Sequence, residues 1–145
     1  MSDCVICDLL SGELEVSLVH RDDLCAAFMD IQPINPGHIL VVPVRHSSCL
    51  AELHSEEGEQ IFRMAQKLGE VLRRSSLKCE GVNLFLADGE AAGQEVFHTH
   101  LHVVPRYTGD GFGFKFPAGY HNRPKRSELN SLAGKISALL QLNPE

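Results

Sequence analysis

Three of the chain's eight histidines stand at alternate positions in the run FHTHLHVVPR, as His98, His100 and His102. Successive side chains of a β-strand point to opposite faces, so a strand here would place all three imidazoles on one face. The Cα atoms of the outer two would then lie about 13 Å apart. A single zinc ion, with Zn–N bonds of about 2.0–2.1 Å, would strain to collect all three. The spacing therefore favours imidazoles with different roles along an extended substrate over a shared ion or a row of solvent-facing polar residues.

The bulk composition predicts one domain and argues against nucleic acid and membranes as partners. The 145 residues are 43% hydrophobic and 22% charged, with a formal net charge of −6. An acidic chain is poorly suited to bind nucleic acid, because binding to phosphate backbones depends on a surplus of Lys and Arg. A small phosphate ligand is still compatible with this charge. The sequence contains neither the roughly 20-residue apolar run of a membrane span nor the pattern of a signal peptide. We therefore expect a cytoplasmic protein with no nucleic-acid or membrane partner and with reduced cysteines.

The periodicity of the apolar residues predicts the elements that position the histidines. Alternation and β-branched content indicate strands in EVSLVH, DLCAAFMDI, GHILVVPV, GVNLFLAD and VFHTHLHVVP. Helical spacing from Glu56 to about Ser75 indicates a long helix, with Ser55 as its N-cap. A second helix is predicted from Glu128 to Leu140. The resulting class is α+β: a meander of about five antiparallel strands packed against one long helix, followed by a C-terminal helix.

The histidine run resembles the signature of the histidine triad (HIT) nucleotide-binding family, in which three histidines alternate with hydrophobic residues. The resemblance continues through CVICDLLSGE, AAFMDIQPINPGHILVVPVRH and DGEAAGQEVFHTHLHVVPR, in order, over most of residues 4–106. The cysteine pair at the N-terminus is similar to the bacterial-type branch. The resemblance implies a HIT-like fold, a single domain over residues 1–145 with residues 107–145 as a variable C-terminal extension, and a homodimer with a shared sheet.

The resemblance also implies catalytic roles for three histidines. The middle histidine of the triad, His100, would attack the α-phosphorus of a nucleotide and form a nucleotidyl-histidine intermediate that water resolves. Imidazole has a reference pKa near 6.5, so much of it is neutral and nucleophilic at pH 7. His102 would donate a hydrogen bond to the phosphate oxygens. His38, in the run NPGH, would orient the row, and a purely structural buried histidine is the alternative at that position.

The nucleoside pocket implied by the resemblance comes from the first half of the chain. Asp30 matches the position that binds the ribose hydroxyls. The apolar wall would include Ile31, Leu24 and Phe28, although the last two also suit an ordinary core.

The loop before the triad is expected to meet the phosphate and the leaving group. In the run AGQE, Gly93 and Gln94 would offer backbone N–H and amide groups to phosphate. Glu95 stands where many relatives carry a small hydroxyl residue, and Ala87 stands where relatives carry Asn or Gln. A carboxylate at residue 95 would repel phosphate oxygens and attract a cationic amine. This departure predicts a preference for amine leaving groups, as in phosphoramidates or lysyl adenylates.

The cysteine pair predicts a metal site once the resemblance is taken into account. By itself Cys4-x-x-Cys7 is compatible with redox chemistry, metal binding or coincidence. In the zinc-bearing relatives the partners are the histidine of VRH and the first histidine of the triad, here His46 and His98. Two cysteines and two histidines would complete a tetrahedral structural site with one zinc ion per chain. Its role would be stability rather than chemistry.

Several functions stay open from the sequence. The favoured one is a hydrolase or transferase that acts on purine nucleoside 5′-monophosphate derivatives. A dinucleoside polyphosphate hydrolase or phosphorylase belongs to the same chemical class. A nucleotide-binding scaffold with incidental turnover and a zinc hydrolase with histidine ligands are the two alternatives of other classes.

Overall fold

The computed structural model describes residues 3–142, which form two compact units with a boundary between Phe112 and Gly113. The first unit carries two helices and five strands in the order α1 Val5–Ser11, β1 Leu18–Arg21, β2 Cys25–Met29, β3 Ile39–Pro43, α2 Ser55–Arg74, β4 Gly81–Leu86 and β5 Leu101–Arg106. The second unit carries α3, Arg126–Leu142, two residues longer at each end than the predicted helix. The α+β class is confirmed.

The five strands form one antiparallel sheet in the order β1-β2-β3-β5-β4. The first three strands form the expected meander. The order then changes, because β5 lies between β3 and β4 and leaves β4 at the edge. Register places Phe28, Leu40, His102 and Phe85 opposite one another across four neighbouring strands. Directly opposed residues share a face of a sheet, so these four side chains belong to one surface.

The long helix α2 covers one face of the sheet. Its apolar side buries Ile61, Met64, Leu68 and Leu72 against residues of β2, β3 and β5, at the helical spacing that the sequence shows. The predicted N-cap, Ser55, is wrong by one residue. Ser55 is already helical, and His54 caps the helix in a reciprocal arrangement with Glu57, whose carboxylate accepts the His54 N–H at 2.9 Å.

The short helix α1, which the periodicity analysis did not predict, lies on the opposite face of the sheet. Its Ile6 and Leu10 pack against Ala26, Phe28 and Val42. The helix ends at Gly12, whose φ of 85° is the left-handed conformation that glycine adopts most readily. Seven residues give too few turns for a periodic signal, and packing on the sheet supplies the stability that so short a helix lacks alone.

The last strand is shorter than predicted, because regular pairing begins only at Leu101. The preceding Thr99 donates its backbone N–H to the carbonyl of Ser47 at 2.6 Å, and the two hydroxyls lie 3.4 Å apart. The backbone between His98 and His100 is therefore held by the loop after β3, and the His98 ring bonds the carbonyl of Pro43 at the end of β3. Within the described part of the chain, no helix is long and apolar enough to cross a membrane.

Candidate functional site

A cavity of about 1010 Å³ opens on the α1 face of the sheet. Its polar end is formed by four of the predicted site residues, His38, His100, His102 and Asp30. Its apolar part is lined by residues of α1, the segment after it and the sheet, including Val5, Ile6, Leu9, Val16, Phe28 and Leu40. An apolar cleft with a few convergent polar groups is the usual form of a small-molecule site.

The middle histidine of the triad is held in one tautomer by the backbone. His100 is 8% exposed, and its Nδ1 lies 2.7 Å from the carbonyl oxygen of His98. A carbonyl oxygen only accepts hydrogen bonds, so Nδ1 carries the hydrogen and donates it. The neutral ring then has its lone pair on Nε2. His100 also lines the cavity, so this arrangement fixes the orientation of its ring in the cavity wall.

The other two histidines form a hydrogen-bonded pair whose direction follows from the backbone. The N–H of Ile34 donates to His38 Nδ1 at 3.1 Å, so the hydrogen of the His38 ring is on Nε2. That Nε2–H lies 2.9 Å from His102 Nδ1 and 3.5 Å from a carboxylate oxygen of Asp30. The shorter contact makes His102 Nδ1 the acceptor. The remaining hydrogen of His102 is then on Nε2, where it can be donated to a ligand.

Burial keeps this pair neutral at pH 7. Desolvation by burial, together with the nearby His100 and His38, lowers the pKa of His102 to about 4, whereas Asp30 opposes the shift. Desolvation also lowers the pKa of His38, again against the pull of Asp30. Both groups can therefore donate a hydrogen bond at pH 7 without carrying a charge.

Phe85, on the edge strand β4, also belongs to the site and was not predicted. Its ring stacks on His102, with centroids 4.3 Å apart and an interplanar angle of 16°. Phe85 on β4 is a register partner of His102 on β5. Its ring therefore holds the imidazole from the β4 side. The alternation in GVNLFLAD placed Phe85 on a strand, but only the pairing of β4 with β5 shows which residue it contacts.

The predicted nucleoside-binding residues divide into those that line the cavity and one that does not. Asp30, Ile31 and Phe28 line it, with Ile31 96% exposed and Phe28 3% exposed. One oxygen of Asp30 accepts the N–H of Gln32 at 2.8 Å, and the other faces His38. Leu24 is not among the lining residues. It belongs to the turn between β1 and β2, where Asp22 accepts its N–H, so the structure places it outside the lining of the cavity.

The loop before the triad uses its polar groups internally. The buried Gln94 side chain accepts the N–H of Gly89 and donates to the carbonyls of Ser48 and Val96. Its amide is therefore committed to bracing the loop, and the predicted contact with phosphate does not fit this arrangement. Gly93 lines the cavity, but its N–H bonds the carbonyl of Glu90, and its φ of 87° explains the glycine.

Glu95 is exposed and lines the cavity. It also lines a neighbouring pocket of about 280 Å³ together with Asp3 and Phe97.

The four predicted metal ligands lie together at the N-terminus of α1. Ligand atoms of Cys4, Cys7, His46 and His98 all lie within 4.8 Å of one another. The Sγ–Nδ1 distances are 3.4 Å for Cys4–His98, 3.7 Å for Cys7–His98 and 3.5 Å for Cys7–His46. Zn–S and Zn–N bonds of about 2.3 and 2.0–2.1 Å at tetrahedral angles give an S···N edge of about 3.5 Å. The residues therefore fit a tetrahedral zinc ion.

The ring of His98 is prepared for this role by its second nitrogen. His98 is completely buried, and its Nε2–H donates to the carbonyl of Pro43 at 2.9 Å, which leaves the Nδ1 lone pair directed to the cysteines. Burial, together with hydrogen bonding and charge from Cys4, raises the pKa of the Cys7 thiol to about 11. A metal ion that binds Cys7 must therefore displace a proton.

The loop that carries His46 is fastened to α2. Arg45 forms an ion pair with Glu57 at 2.8 Å and donates to the carbonyls of His46 and Glu52. On its other side the loop bonds Thr99 through Ser47. Residues 46 and 98, which are 52 positions apart, are thereby brought to the same end of the sheet.

Comparison with known proteins agrees with this geometry. A family model for the HIT domain matches residues 11–109. A HIT-like protein of Borreliella burgdorferi is 44% identical over 116 residues, which cover 79% of this chain and 84% of the relative. The crystal structure of a zinc-bound histidine triad family protein from Mycobacterium smegmatis is 34% identical, with a TM-score of 0.74, and covers 96% of each chain. A histidine triad nucleotide-binding protein from Candida albicans is 27% identical, with a TM-score of 0.84 and coverage of 97% of this chain and 100% of that one.

The five-stranded antiparallel sheet, with two of the triad histidines in the wall of its cavity, is the architecture of a histidine triad domain. The match over residues 11–109 and the extent of these likenesses are sufficient to assign the family. The chain belongs to the HIT family, and the resemblance that the sequence motifs indicated is confirmed.

Proposed function

We propose that this protein is a nucleotidyl hydrolase or transferase that cleaves purine nucleoside 5′-monophosphate derivatives of the phosphoramidate or adenylate type. The observation that carries the proposal is the hydrogen bond from His100 Nδ1 to the carbonyl of His98 at 2.7 Å. It leaves Nε2 as a nucleophile beside a cavity large enough for a nucleotide. The nucleotide-binding histidine triad protein of Candida albicans supports the class of ligand.

The proposed reaction has two displacements at phosphorus. In the first, His100 Nε2 forms a bond to the α-phosphorus while the bond from phosphorus to the leaving nitrogen breaks, and the leaving amine takes up a proton from solvent. In the second, water forms the new P–O bond and gives up a proton to solvent, the Nε2–P bond breaks and the nucleoside monophosphate leaves. The neutral Nε2–H of His102 donates a hydrogen bond to a phosphate oxygen in both steps. Asp30 accepts hydrogen bonds from the ribose hydroxyls.

The apolar part of the cavity accounts for recognition of the base. Phe28 and Leu40 lie on the sheet, and Ile6 and Leu9 lie on α1, so a planar purine would be enclosed between the two layers. Ile31, which is 96% exposed, would cover the base from the mouth of the cavity.

We propose further that the cysteine–histidine cluster holds one structural zinc ion per chain. Four protein ligands fill a tetrahedral shell and leave no position for substrate, so the ion would stabilise the fold and take no part in the displacements. The zinc-bound relative from Mycobacterium smegmatis supports the choice of metal. The same proposal includes a homodimer, because β4 is an edge strand in the described chain and its outer edge is suited to pairing with another copy.

The direct test compares the wild-type protein with His100→Ala on two substrates. An adenosine phosphoramidate and a dinucleoside tetraphosphate are incubated separately with each protein, and the products are separated by chromatography. Rapid release of AMP from the phosphoramidate, lost in His100→Ala, is the expected result. Faster cleavage of the dinucleotide would assign the protein to the polyphosphate branch. Turnover of neither substrate, with nucleotide still bound, would overturn the enzymatic proposal in favour of a binding protein.

A further inference from the structure

The histidine pair of the site is supported by a turn that is bonded to β5 and to the segment after it. The turn before β3 ends at His38, and two of its backbone groups act on that residue. The N–H of Ile34 donates to the His38 ring at 3.1 Å, and the carbonyl of Asn35 accepts the His38 N–H at 3.1 Å. The first bond decides which ring nitrogen carries the hydrogen. The position of the turn therefore decides the tautomer of His38.

Asn35 holds this turn against the sheet. Its side chain is buried, and its amide donates to the carbonyl of Pro105 at 2.9 Å and to a carboxylate oxygen of Asp110 at 2.7 Å. Both hydrogens of the amide are therefore used. Because Asn35 is only 5% exposed and Pro105 is fully buried, removal of the amide would leave the carbonyl of Pro105 without this hydrogen bond in a buried position.

Asp110 is the fixed point of this arrangement. Its carboxylate accepts two hydrogen bonds from Arg106, at 2.5 and 2.8 Å, and one from the N–H of Phe112 at 3.1 Å. Arg106 in turn donates to the side chain of Asn83 on β4 and stacks over the ring of Phe112, 4.7 Å from its centroid. The bonds from Arg106 hold the pKa of Asp110 well below its ordinary value, so the carboxylate is charged at pH 7.

We propose that Asn35, Asp110 and Arg106 are positioning residues that set the direction of the hydrogen bond offered to the substrate phosphate. The inference rests on the proposed function and deepens it. With the turn in place, the His38 hydrogen is on Nε2, His102 accepts it at Nδ1, and His102 presents Nε2–H to the cavity. If the turn moves and His38 takes the opposite tautomer, His102 must donate from Nδ1. It then presents a lone pair to the phosphate oxygens, which repels them instead of stabilising their charge.

Residues outside the cavity can affect catalysis by orienting a histidine that lines it. The outer groups that orient a catalytic or ligating histidine commonly change activity by about 10- to 100-fold when they are removed, although they touch no substrate. Here the three residues act through two backbone bonds of one turn. Their loss should therefore change the rate of the chemical step more than the affinity for nucleotide.

The test combines kinetics with the imidazole nitrogen resonances of ¹⁵N-histidine-labelled protein at pH 7. The wild-type protein should show His38 and His102 as single Nε2–H tautomers. Asn35→Ala should show mixed tautomers at both residues and a kcat about tenfold lower, with KM within about twofold. Asp110→Asn removes the charge that Arg106 pairs with, and it should change the same resonances in the same direction. If Asn35→Ala does not fold, the resonances of Asp110→Asn alone test the proposal.

The matched control lies in the segment that Asp110 anchors. Thr108 donates from its hydroxyl to Glu80 at 2.8 Å, outside the Asn35 network, so Thr108→Val should leave the tautomers and kcat unchanged. Unchanged single tautomers in both Asn35→Ala and Asp110→Asn would overturn the proposal, as would mixed tautomers in Thr108→Val. The nitrogen resonances need no substrate. A wild-type protein without turnover would therefore refute the proposed function while the network is still tested.

Discussion

His98 joins the two halves of the site, because its ring and its backbone serve different partners. Its imidazole Nδ1 lies 3.4 Å from Cys4 Sγ, whereas its carbonyl oxygen accepts the Nδ1–H of His100 at 2.7 Å. The residue that fits the metal cluster therefore also holds the proposed nucleophile in its reactive tautomer. The alternate spacing of the triad serves both sites, although the ion and the substrate use different imidazoles.

The first prediction concerns metal content. The wild-type protein should contain one zinc ion per chain by elemental analysis, and the double variant Cys4→Ser/Cys7→Ser should contain none. Its free energy of unfolding should fall by about 3 kcal/mol or more, because loss of a structural metal is among the changes with the largest effects on stability. Its kcat should fall as well, since His98 becomes less firmly held. Cys49→Ser is the control. Because Cys49 is outside the cluster, this variant should retain zinc. Less than half a zinc per wild-type chain would contradict the assignment.

The second prediction concerns the leaving group. Glu95→Ser should lower the ratio of phosphoramidate to dinucleoside tetraphosphate turnover by about two- to fivefold. The effect is modest because Glu95 is exposed and exposed ion pairs are weak. Glu90→Ser, in the same loop but outside the lining of the cavity, should leave the ratio unchanged. An unchanged ratio in Glu95→Ser would show that the carboxylate does not select amines.

The third prediction concerns stability against acid. The pKa of His102 is about 4 in the folded protein and about 6.5 in an unfolded chain. Between these values the unfolded state binds a proton that the folded state does not. The contribution of His102 to stability is therefore complete above pH 6.5 and is lost as the pH falls to about 4. Urea titrations at several pH values should show a smaller acid-induced loss in His102→Gln than in the wild type. Equal losses would mean that His102 titrates normally in the folded protein.

The fourth prediction concerns the ring that stacks on His102. Phe85→Leu removes the stack but keeps an apolar side chain on β4, so the fold should persist while kcat falls about threefold or more. Phe85→Tyr retains the stacked ring and should keep most of the activity. Steady-state rates on the phosphoramidate measure both variants. If Phe85→Leu is as active as Phe85→Tyr, the stack has no part in positioning His102.

The fifth prediction concerns assembly. Sedimentation equilibrium should give twice the chain mass of 16.0 kDa. Leu84, 38% exposed on the edge strand β4, is placed for an intermolecular contact, so Leu84→Lys should shift the equilibrium towards monomer. Val71→Lys adds the same charge at an exposed position of α2 and should leave the dimer intact. A monomeric wild-type protein at all concentrations would refute the assembly.

Local patterns were sufficient for most elements, since α2 and the strands follow the spacing of their apolar residues. They failed where a contact between distant segments decides the structure. α1 was missed because it is stabilised by packing on the sheet, and β5 begins late because Thr99 bonds Ser47. The family resemblance implied a contact between Gln94 and phosphate. Three hydrogen bonds within the structure use its amide instead.

The sequence by itself determined the class of protein and most of the residues of the two candidate sites, because the spacing of the triad and its flanking motifs are properties of the chain. Only the tertiary structure decided which of those residues belong to the metal cluster and which to the cavity. It directed the ring of His98 to the cysteines, gave His100 its reactive tautomer and set the direction of the bond between His38 and His102. These outcomes depend on carbonyl and N–H groups that come close only when distant segments pack. A hydrogen bond to a carbonyl such as that of Pro43, 55 positions from His98, cannot be predicted from a local sequence pattern.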